Sequence, residues 1–482
     1  MFIGLDLGTS GVRAVLVRPD GSVLESAEAG LQASHPYPGY SEQAPADWVA
    51  AARSALVSLA QRHPLAMERV EGLGLSGQMH GAVLLDETGA VIRPAILWND
   101  SRSFVEAAAL DAAEAVRNLS GNIVFPGFTA PKLAWLARHE PPSFARIAKV
   151  LLPKDYLAYW LTGDIGTEMS DAAGTAWLDV GARAWSDRLL EAGGMRRDQM
   201  PDLREGTGIV GPVRRDLAAD LGLPGGVQVV AGGADNAAAA CGVGALAEGD
   251  GFVSLGTSGV LLAARNGFYP DPASAVHTFC HAVPGRWYQM GVILAATDSL
   301  NWLARITGAE PATLTAELGA LDAPGPMRFL PYLSGERTPH NDAAIRGAFL
   351  GLDIAQTRTD LTRAVVEGVS FALRDSLDAL RATGADLPRL LAIGGGTRSR
   401  YWVELLATVL GLPLDLAQQG ENGAALGAAR LAICGVTGTD PEQVMTRPPI
   451  AETIDPRADL LEAYAQAHAD FAASYPKLKA MP

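Results

Sequence analysis

The chain has 482 residues, 48% hydrophobic and 19% charged, an ordinary globular composition with length for two large domains. A net charge of −15 and a pI near 5.0 exclude the broad basic surface that nucleic acid or an anionic membrane requires. No apolar run reaches the ~18 residues of a membrane span and no basic leader precedes the first strand, so a cytoplasmic protein with no membrane or nucleic-acid partner is expected.

Three short strands open the chain, over residues 2–7, 12–17 and 22–27, and the turn Gly8-Thr9-Ser10-Gly11 joins the first two. Residues 47–61 read as an amphipathic helix. Residues 70–75 form a strand that runs into Ser76-Gly-Gln-Met-His-Gly81. Here Gly72, Gly74 and Gly77 spell GxGxxG. A dinucleotide fingerprint needs those glycines after a strand and opening a helix, whereas these lie inside the strand and residues 82–85 read as another, so a Rossmann site is excluded on context.

Helices follow over 131–139, 154–161 and 185–200. A strand over 227–230 stops at Ala231-Gly-Gly-Ala234, and Asp235-Asn236 then open an alanine-rich helix to about residue 247. The turn Glu248-Gly-Asp-Gly251 sets a boundary between domains at 1–245 and 246–482. In the second half, residues 275–283 alternate as a strand whose His277 and His281 flank Cys280 with no acidic third ligand, so no metal is expected there. Cys241, Cys280 and Cys434 lack the spacing of a disulfide framework and read as small buried residues. A long helix over 361–383, a buried strand over 390–393 ending in Gly394-Gly395-Gly396, a helix over 399–410, and a helix over 423–434 after Glu421-Asn422 complete the pattern.

The hexapeptide at residues 7–12 recurs at 255–260, each copy between two apolar runs. A repeat this far apart predicts one fold duplicated, with two lobes facing across a cleft. Either Gly-Thr-Ser-Gly copy alone reads as a hairpin turn; together they read as two cradles of closely spaced N–H groups for phosphate, formed by Gly8, Thr9 and Ser10 and by Gly256 and Thr257. Gly394 to Gly396, between a buried strand and a helix, is a third place where backbone can approach a nucleotide. No lysine follows a glycine, so a Walker loop is absent.

The copies differ just before the turn, where Asp6 stands opposite Ser254. A buried carboxylate is costly without a partner, so Asp6 is expected at the cleft, reaching a magnesium ion through water. Arg13 is either an exposed strand arginine or a charge for the phosphoryl group. Asp235 suits a helix N-cap and equally a base, because a helix start holds a carboxylate ionised and oriented.

Together these residues resemble the FGGY family of carbohydrate kinases, within the superfamily of actin and hexokinase. The segments that carry the likeness are Asp6 to Arg13, Gly127-Phe-Thr-Ala-Pro-Lys-Leu-Ala-Trp-Leu-Ala-Arg-His139, Gly347-Ala-Phe-Leu-Gly-Leu352 and Asp360-Leu-Thr-Arg-Ala-Val-Val-Glu367. The resemblance implies an α/β fold of two duplicated ribonuclease H-like domains, a small sugar and ATP as substrates, Mg2+ as cofactor, and a homodimer.

It also implies that Met79, His80 and Trp98 line the sugar pocket, that Asp235 is the base with Asn236 beside it, and that Gly256, Thr257, Gly395, Gly396 and Asn422 contact the nucleotide. Ser76 to Gly81, Trp98-Asn-Asp100, Ser170-Asp-Ala-Ala-Gly-Thr175 and Leu333-Ser-Gly-Glu-Arg-Thr-Pro-His340 narrow the expected acceptor to D-xylulose. A sister acceptor (gluconate, ribulose or glycerol) and an actin-like ATPase are the alternatives. Ala234 departs from the family, which has a third glycine there.

Overall fold

The computed structural model describes residues 1–418 and 423–481. Two sheets organise it. The first has strands β1 (Phe2–Leu7), β2 (Gly11–Val17), β3 (Val23–Gly30), β4 (Gly72–Gly77), β5 (Ile209–Pro212) and β6 (Gln228–Ala234), in the order β5-β6-β4-β1-β2-β3. The second has β7 (Gly251–Leu255), β8 (Gly259–Arg265), β9 (His277–Cys280), β10 (Trp287–Ile293), β11 (Leu390–Ile393), β12 (Leu414–Ala417) and β13 (Ile450–Ile454), in the order β9-β10-β8-β7-β11-β12-β13.

The two repeats of the hexapeptide form the same corner. β1 and β2 pair antiparallel from Phe2 with Val17 to Leu7 with Val12, and β7 and β8 pair antiparallel from Gly251 with Ala263 to Leu255 with Gly259. Each first strand then takes a parallel neighbour on its other side, β4 beside β1 and β11 beside β7. A second parallel strand extends each sheet, β6 beside β4 and β12 beside β11. Parallel strands need crossovers, and helices supply them.

Among the helices, those that build the two halves are α1 (Pro45–Arg62), α2 (Pro153–Thr162), α3 (Asp235–Val243), α4 (Thr297–Thr307), α5 (Arg358–Ala382), α6 (Arg400–Leu410) and α7 (Gly423–Thr437). In chain order α1, α2 and α3 stand where α5, α6 and α7 stand in the second half. The duplicated ribonuclease H-like architecture of the actin and hexokinase class is therefore present.

One helix crosses the division. α7, from the second half of the sequence, packs on β1 and β4 of the first sheet and against α3. It joins Ala425, Ala429, Ala432 and Ile433 to Phe2, Val15, Val17 and Val230 in one buried cluster. The approach is close enough to need glycine: a Cβ at Gly4 would lie 1.8 Å from the Ala425 carbonyl oxygen, and one at Gly74 would lie 1.9 Å from that of Ala428. The GxGxxG string is thus a strand flattened to receive a helix, with Gly72, Gly74 and Gly77 all inside β4.

Two sequence expectations change. Residues 185–200 do not form one helix: a helix over Asp187–Ala192 and a 3-10 turn over Arg197–Gln199 are separated at Gly193-Gly194, the latter at φ 70°. A Gly-Gly pair offers the backbone too much freedom to hold a helix together. The helix opened by Asp235 ends at Val243, four residues early, because Gly244 at φ 70° closes it as a left-handed cap. The three cysteines are free and buried. His281 uses both ring nitrogens, Nε2 on the Ala245 carbonyl (3.2 Å) and Nδ1 accepting from Val283 N–H (3.0 Å).

Candidate active site

Strand register builds the first part of the site. Asp6 on β1 lies opposite Ser76 on β4, and Ser76 lies opposite Gly233 on β6. Neighbouring strands are about 4.8 Å apart, so Asp6 and the end of β6 share one sheet edge two strands apart. Asp235 is the next residue after β6. Ala234 is the N-cap and makes no side-chain cap bond, which leaves Asp235 as the first residue of α3. The aspartate is therefore not the cap that its sequence position suggests. Ala234 has φ −54°, a conformation open to any residue, so the alanine fits without backbone strain.

Asp235 Oδ1 accepts from Asn236 N–H (2.6 Å) and Asn236 Nδ2 (2.9 Å). Both bonds fix the carboxyl plane, and among the described residues no protein donor reaches Oδ2. Burial pushes the Asp235 carboxyl up to about 6; the Asn236 N–H pulls against this, and the nearby Asp6 charge adds to it. Asp6 is also raised, by burial, with the Ser76 hydroxyl and then the Arg13 charge opposing. Among the described residues no hydrogen-bond partner reaches its buried Oδ1 within bonding geometry. Arg13 sits opposite Asp6 on β2, with its guanidinium on Glu28 of β3 (2.6 Å).

The first turn is wired by side chains. Gly8 N–H closes it on the Gly11 carbonyl (2.9 Å), while Ser10 is exposed at its tip. Thr9 Oγ1 donates to Gln78 Oε1 (3.0 Å) and accepts from Trp98 Nε1 (3.0 Å), and the Thr9 carbonyl accepts from Gln43 Nε2 (2.8 Å). Gln78 Nε2 in turn donates to Gln43 Oε1 (3.1 Å). Trp98, 42% exposed, thus has its indole N–H fixed on the first turn.

Beyond Gly77 the chain turns sharply at Met79 and His80. His80 takes φ 70°, uncommon for a side-chain-bearing residue. Four contacts hold it: its carbonyl accepts from Lys132 Nζ (2.8 Å) and Thr129 Oγ1 (3.1 Å), its Nδ1 meets the Gly174 carbonyl (2.7 Å), and its ring stacks on Phe128 (4.7 Å). A carbonyl only accepts, so Nδ1 carries the proton and Nε2 is an acceptor. Burial, reinforced by the Lys132 charge, depresses the imidazole to about 3, which keeps it neutral.

The segment 170–175 braces both ends of this corner: the Gly174 carbonyl holds His80, and Ser170 Oγ accepts from Ala234 N–H (3.0 Å), one residue before Asp235. Sequence reasoning noted that segment as a string without assigning roles within it. It passed over Lys132, Gln43 and Gln78, whose partners are distant in the chain.

The second turn is built differently. The Gly256 carbonyl accepts from Thr297 N–H (2.9 Å) and Thr297 Oγ1 (2.8 Å), and the Thr257 carbonyl accepts from Ala296 N–H (2.8 Å). These bonds seat the start of α4 on the turn. Gly395 and Gly396 open a 3-10 turn over Gly395–Arg398. With Thr297, Asn301, Ser399 and Tyr401 they line a cavity of about 600 Å³. Among the described residues nothing would lie within 4 Å of a Cβ on Gly395. Asn422 lies outside the described residues.

Paired turns, one carboxylate at a helix start and a cavity beside the second turn define a two-lobed phosphotransferase of the actin and hexokinase class. The comparisons give the family. The N-terminal domain of the FGGY family of carbohydrate kinases matches residues 1–242 and its C-terminal domain matches residues 251–436. The chain belongs to the FGGY family of carbohydrate kinases.

It is 46% identical over 483 residues to a xylulose kinase of Klebsiella pneumoniae, covering 99% of each chain. Among solved structures it resembles a "xyloylose kinase" from Brucella ovis, at 54% identity with TM-score 0.98 and 100% of both chains covered. It also resembles xylulose kinase from Rhodospirillum rubrum, at 32% identity with TM-score 0.91 and 99% of both chains covered. Among the described residues no helix is long and apolar enough to cross a membrane, and no group of three or more His, Cys, Asp or Glu is placed to hold a metal ion.

Proposed function

We propose that this chain transfers the γ-phosphoryl group of ATP to the terminal 5-hydroxyl of D-xylulose, giving D-xylulose 5-phosphate and ADP in xylose catabolism. The observation that carries the chemistry is Asp235: a carboxylate fixed by Asn236 at the start of α3, on the same sheet edge as Asp6 and the first turn. Likeness to xylulose kinases over essentially the whole chain supports the choice of sugar.

In this reading residues 1–245 bind the sugar through Met79, His80, Trp98 and Asn236 and provide the base, while residues 246–482 bind the nucleotide through Gly256, Thr257, Gly395, Gly396 and Asn422. Asp235 accepts the hydroxyl proton late, as the loose phosphoryl group bonds to the sugar oxygen, because a carboxylate is too weak a base to ionise an alcohol beforehand. The N–H groups of Thr9 and Ser10, in the turn that Gly8 closes, face charge that develops on the transferred group, and Arg13 adds a cation beside them. Closing the lobes keeps water from taking the phosphoryl group in place of the sugar.

Magnesium fits Asp6, a hard oxygen donor whose buried Oδ1 has no hydrogen-bond partner among the described residues. Held there through water, the ion would supply charge neutralisation on the phosphate oxygens. The reading extends to a cytoplasmic homodimer, a common closed assembly, that acts on free sugar. The net charge of −15 supports the absence of a nucleic-acid partner.

The test is ADP release with D-xylulose, L-ribulose, gluconate or glycerol, beside a control without sugar. D-Xylulose is expected to give the highest kcat/KM. A higher value with another acceptor overturns the substrate, and equally fast ADP release without sugar overturns the kinase reading in favour of an ATPase.

A further inference from the structure

The segment Leu333 to His340 is bolted to the second sheet, yet one of its side chains leaves it. Thr338 accepts from Val292 N–H (3.1 Å) and donates to the Ala275 carbonyl (3.0 Å) through Oγ1, and its own N–H donates to the Val292 carbonyl (3.0 Å). Glu336 Oε1 accepts from Leu294 N–H (3.0 Å) and Arg337 N–H (2.8 Å). Between these anchors the Arg337 guanidinium extends to the other half of the chain and lies 4.4 Å above the Phe125 ring. Its side-chain hydrogen bond is a long one, Nη1 to His277 Nε2 (3.5 Å). Among the described residues no carboxylate forms an ion pair with it.

Phe125 belongs to the sugar corner. Its ring is 5.8 Å from Phe128, on which His80 stacks at 4.7 Å. Arg337 is close enough for its charge to bear on His80 and on His277. Burial pushes Arg337 itself down to about 10, with Glu336 opposing, so it remains a cation. Arg337 is half-buried; a cation partly withdrawn from water without an anion is costly, and a ring face recovers part of that cost. Donors left unmatched beside a ligand corner point to the ligand.

The corner offers two complementary groups. Neutral His80 presents an acceptor at Nε2, and a guanidinium presents donors alone. An α-hydroxyketone supplies the counterpart, a hydroxyl that donates next to a carbonyl that accepts. We propose that Arg337 is a sugar-contacting, specificity-determining residue contributed by the second half: its guanidinium donates to the ketone oxygen of the acceptor, at the end away from Asp235, while His80 Nε2 accepts from the neighbouring hydroxyl. This rests on the reading of the site as a ketose kinase. Because Arg337 comes from the half that holds the nucleotide while His80 comes from the half that holds the base, the sugar is gripped from both sides of the cleft.

The experiment compares wild type, Arg337→Met and Arg337→Lys with D-xylulose and with xylitol, which carries a hydroxyl in place of the ketone. Wild-type turnover of D-xylulose is measured first; a wild type that uses gluconate and not D-xylulose overturns the ketose reading and the ketone contact with it. Given that turnover, Arg337→Met is expected to raise KM for D-xylulose about 10-fold or more, to change KM for ATP less than about twofold, and to cut the preference for D-xylulose over xylitol about 10-fold.

Arg337→Lys keeps the charge without the planar fork and is expected to recover part of the loss. Melting temperature is expected to hold, since no ion pair is removed. Unchanged KM for D-xylulose and unchanged preference in Arg337→Met overturn the proposal. So does an equal rise in KM for ATP, which marks general damage to the lobe.

Discussion

The two Gly-Thr-Ser-Gly corners share a backbone and differ in what their atoms are tied to. In the first, Thr9 is held through its side chain and carbonyl by Gln78, Gln43 and Trp98, and a carboxylate, Asp6, lies just before the turn. In the second, the carbonyls of Gly256 and Thr257 seat the start of α4, and Ser254 occupies the place of Asp6. In the proposed reading, a duplicated turn keeps a phosphate cradle while its surroundings divide the labour. The polar web of the first turn leads toward the acceptor, and the helix seat of the second leads toward the cavity beside Gly395.

The strongest way to break this contrast is to remove the group that only one half has. Asp235→Asn is expected to lower kcat by about 10²- to 10⁴-fold, with KM for sugar and ATP little changed, as read by steady-state kinetics. Its melting temperature should not fall. Burial gives the folded state a higher Asp235 pKa than the unfolded state, so ionised Asp235 weakens the fold as pH rises from about 4 through about 6, and asparagine relieves that cost. A large drop in melting temperature would mean that the carboxylate is structural.

Next in size, Asp6→Ser makes the first corner resemble the second and is expected to cost about 100-fold in kcat/KM, with a raised magnesium requirement; unchanged magnesium dependence would detach Asp6 from the ion. The pH profile sharpens the pairing of the two carboxylates. A base must be ionised, so kcat/KM is expected to fall about tenfold per unit below about pH 6. Because the Asp6 charge helps to raise Asp235, Asp6→Asn should move that limb to lower pH, and a stationary limb would separate the two groups.

The smallest effect tests the second corner. Thr297→Val removes one hydrogen bond to Gly256, worth about 1 kcal/mol, and should raise KM for ATP about fivefold while leaving KM for sugar unchanged.

Much of this was legible in the chain. The corners carry their own signature, apolar runs on either side of Gly-Thr-Ser-Gly, and Asp6 and Asp235 lie where a strand stops, so local pattern sufficed to place them at element ends. What was not legible depends on distance. Gln43 and Gln78 look like ordinary polar residues until folding sets them against Thr9, and Lys132 reads as helix surface until it is found buried on the His80 carbonyl. Gly72 and Gly74 mimic a dinucleotide fingerprint because a groove for a helix and a pyrophosphate loop both need missing side chains. The helix expected over residues 185–200 is cut by two adjacent glycines, Gly193 and Gly194, after Ala192.

The course of α7 has a consequence for biosynthesis. The groove of the first sheet, with Phe2, Val15, Val17 and Val230 on its floor, is filled by Ala425, Ala429 and Ile433. On the ribosome, those N-terminal residues emerge hundreds of codons before the segment that covers them. The first lobe therefore cannot mature alone, and a transcript cut between the repeats would yield a sticky fragment rather than half an enzyme.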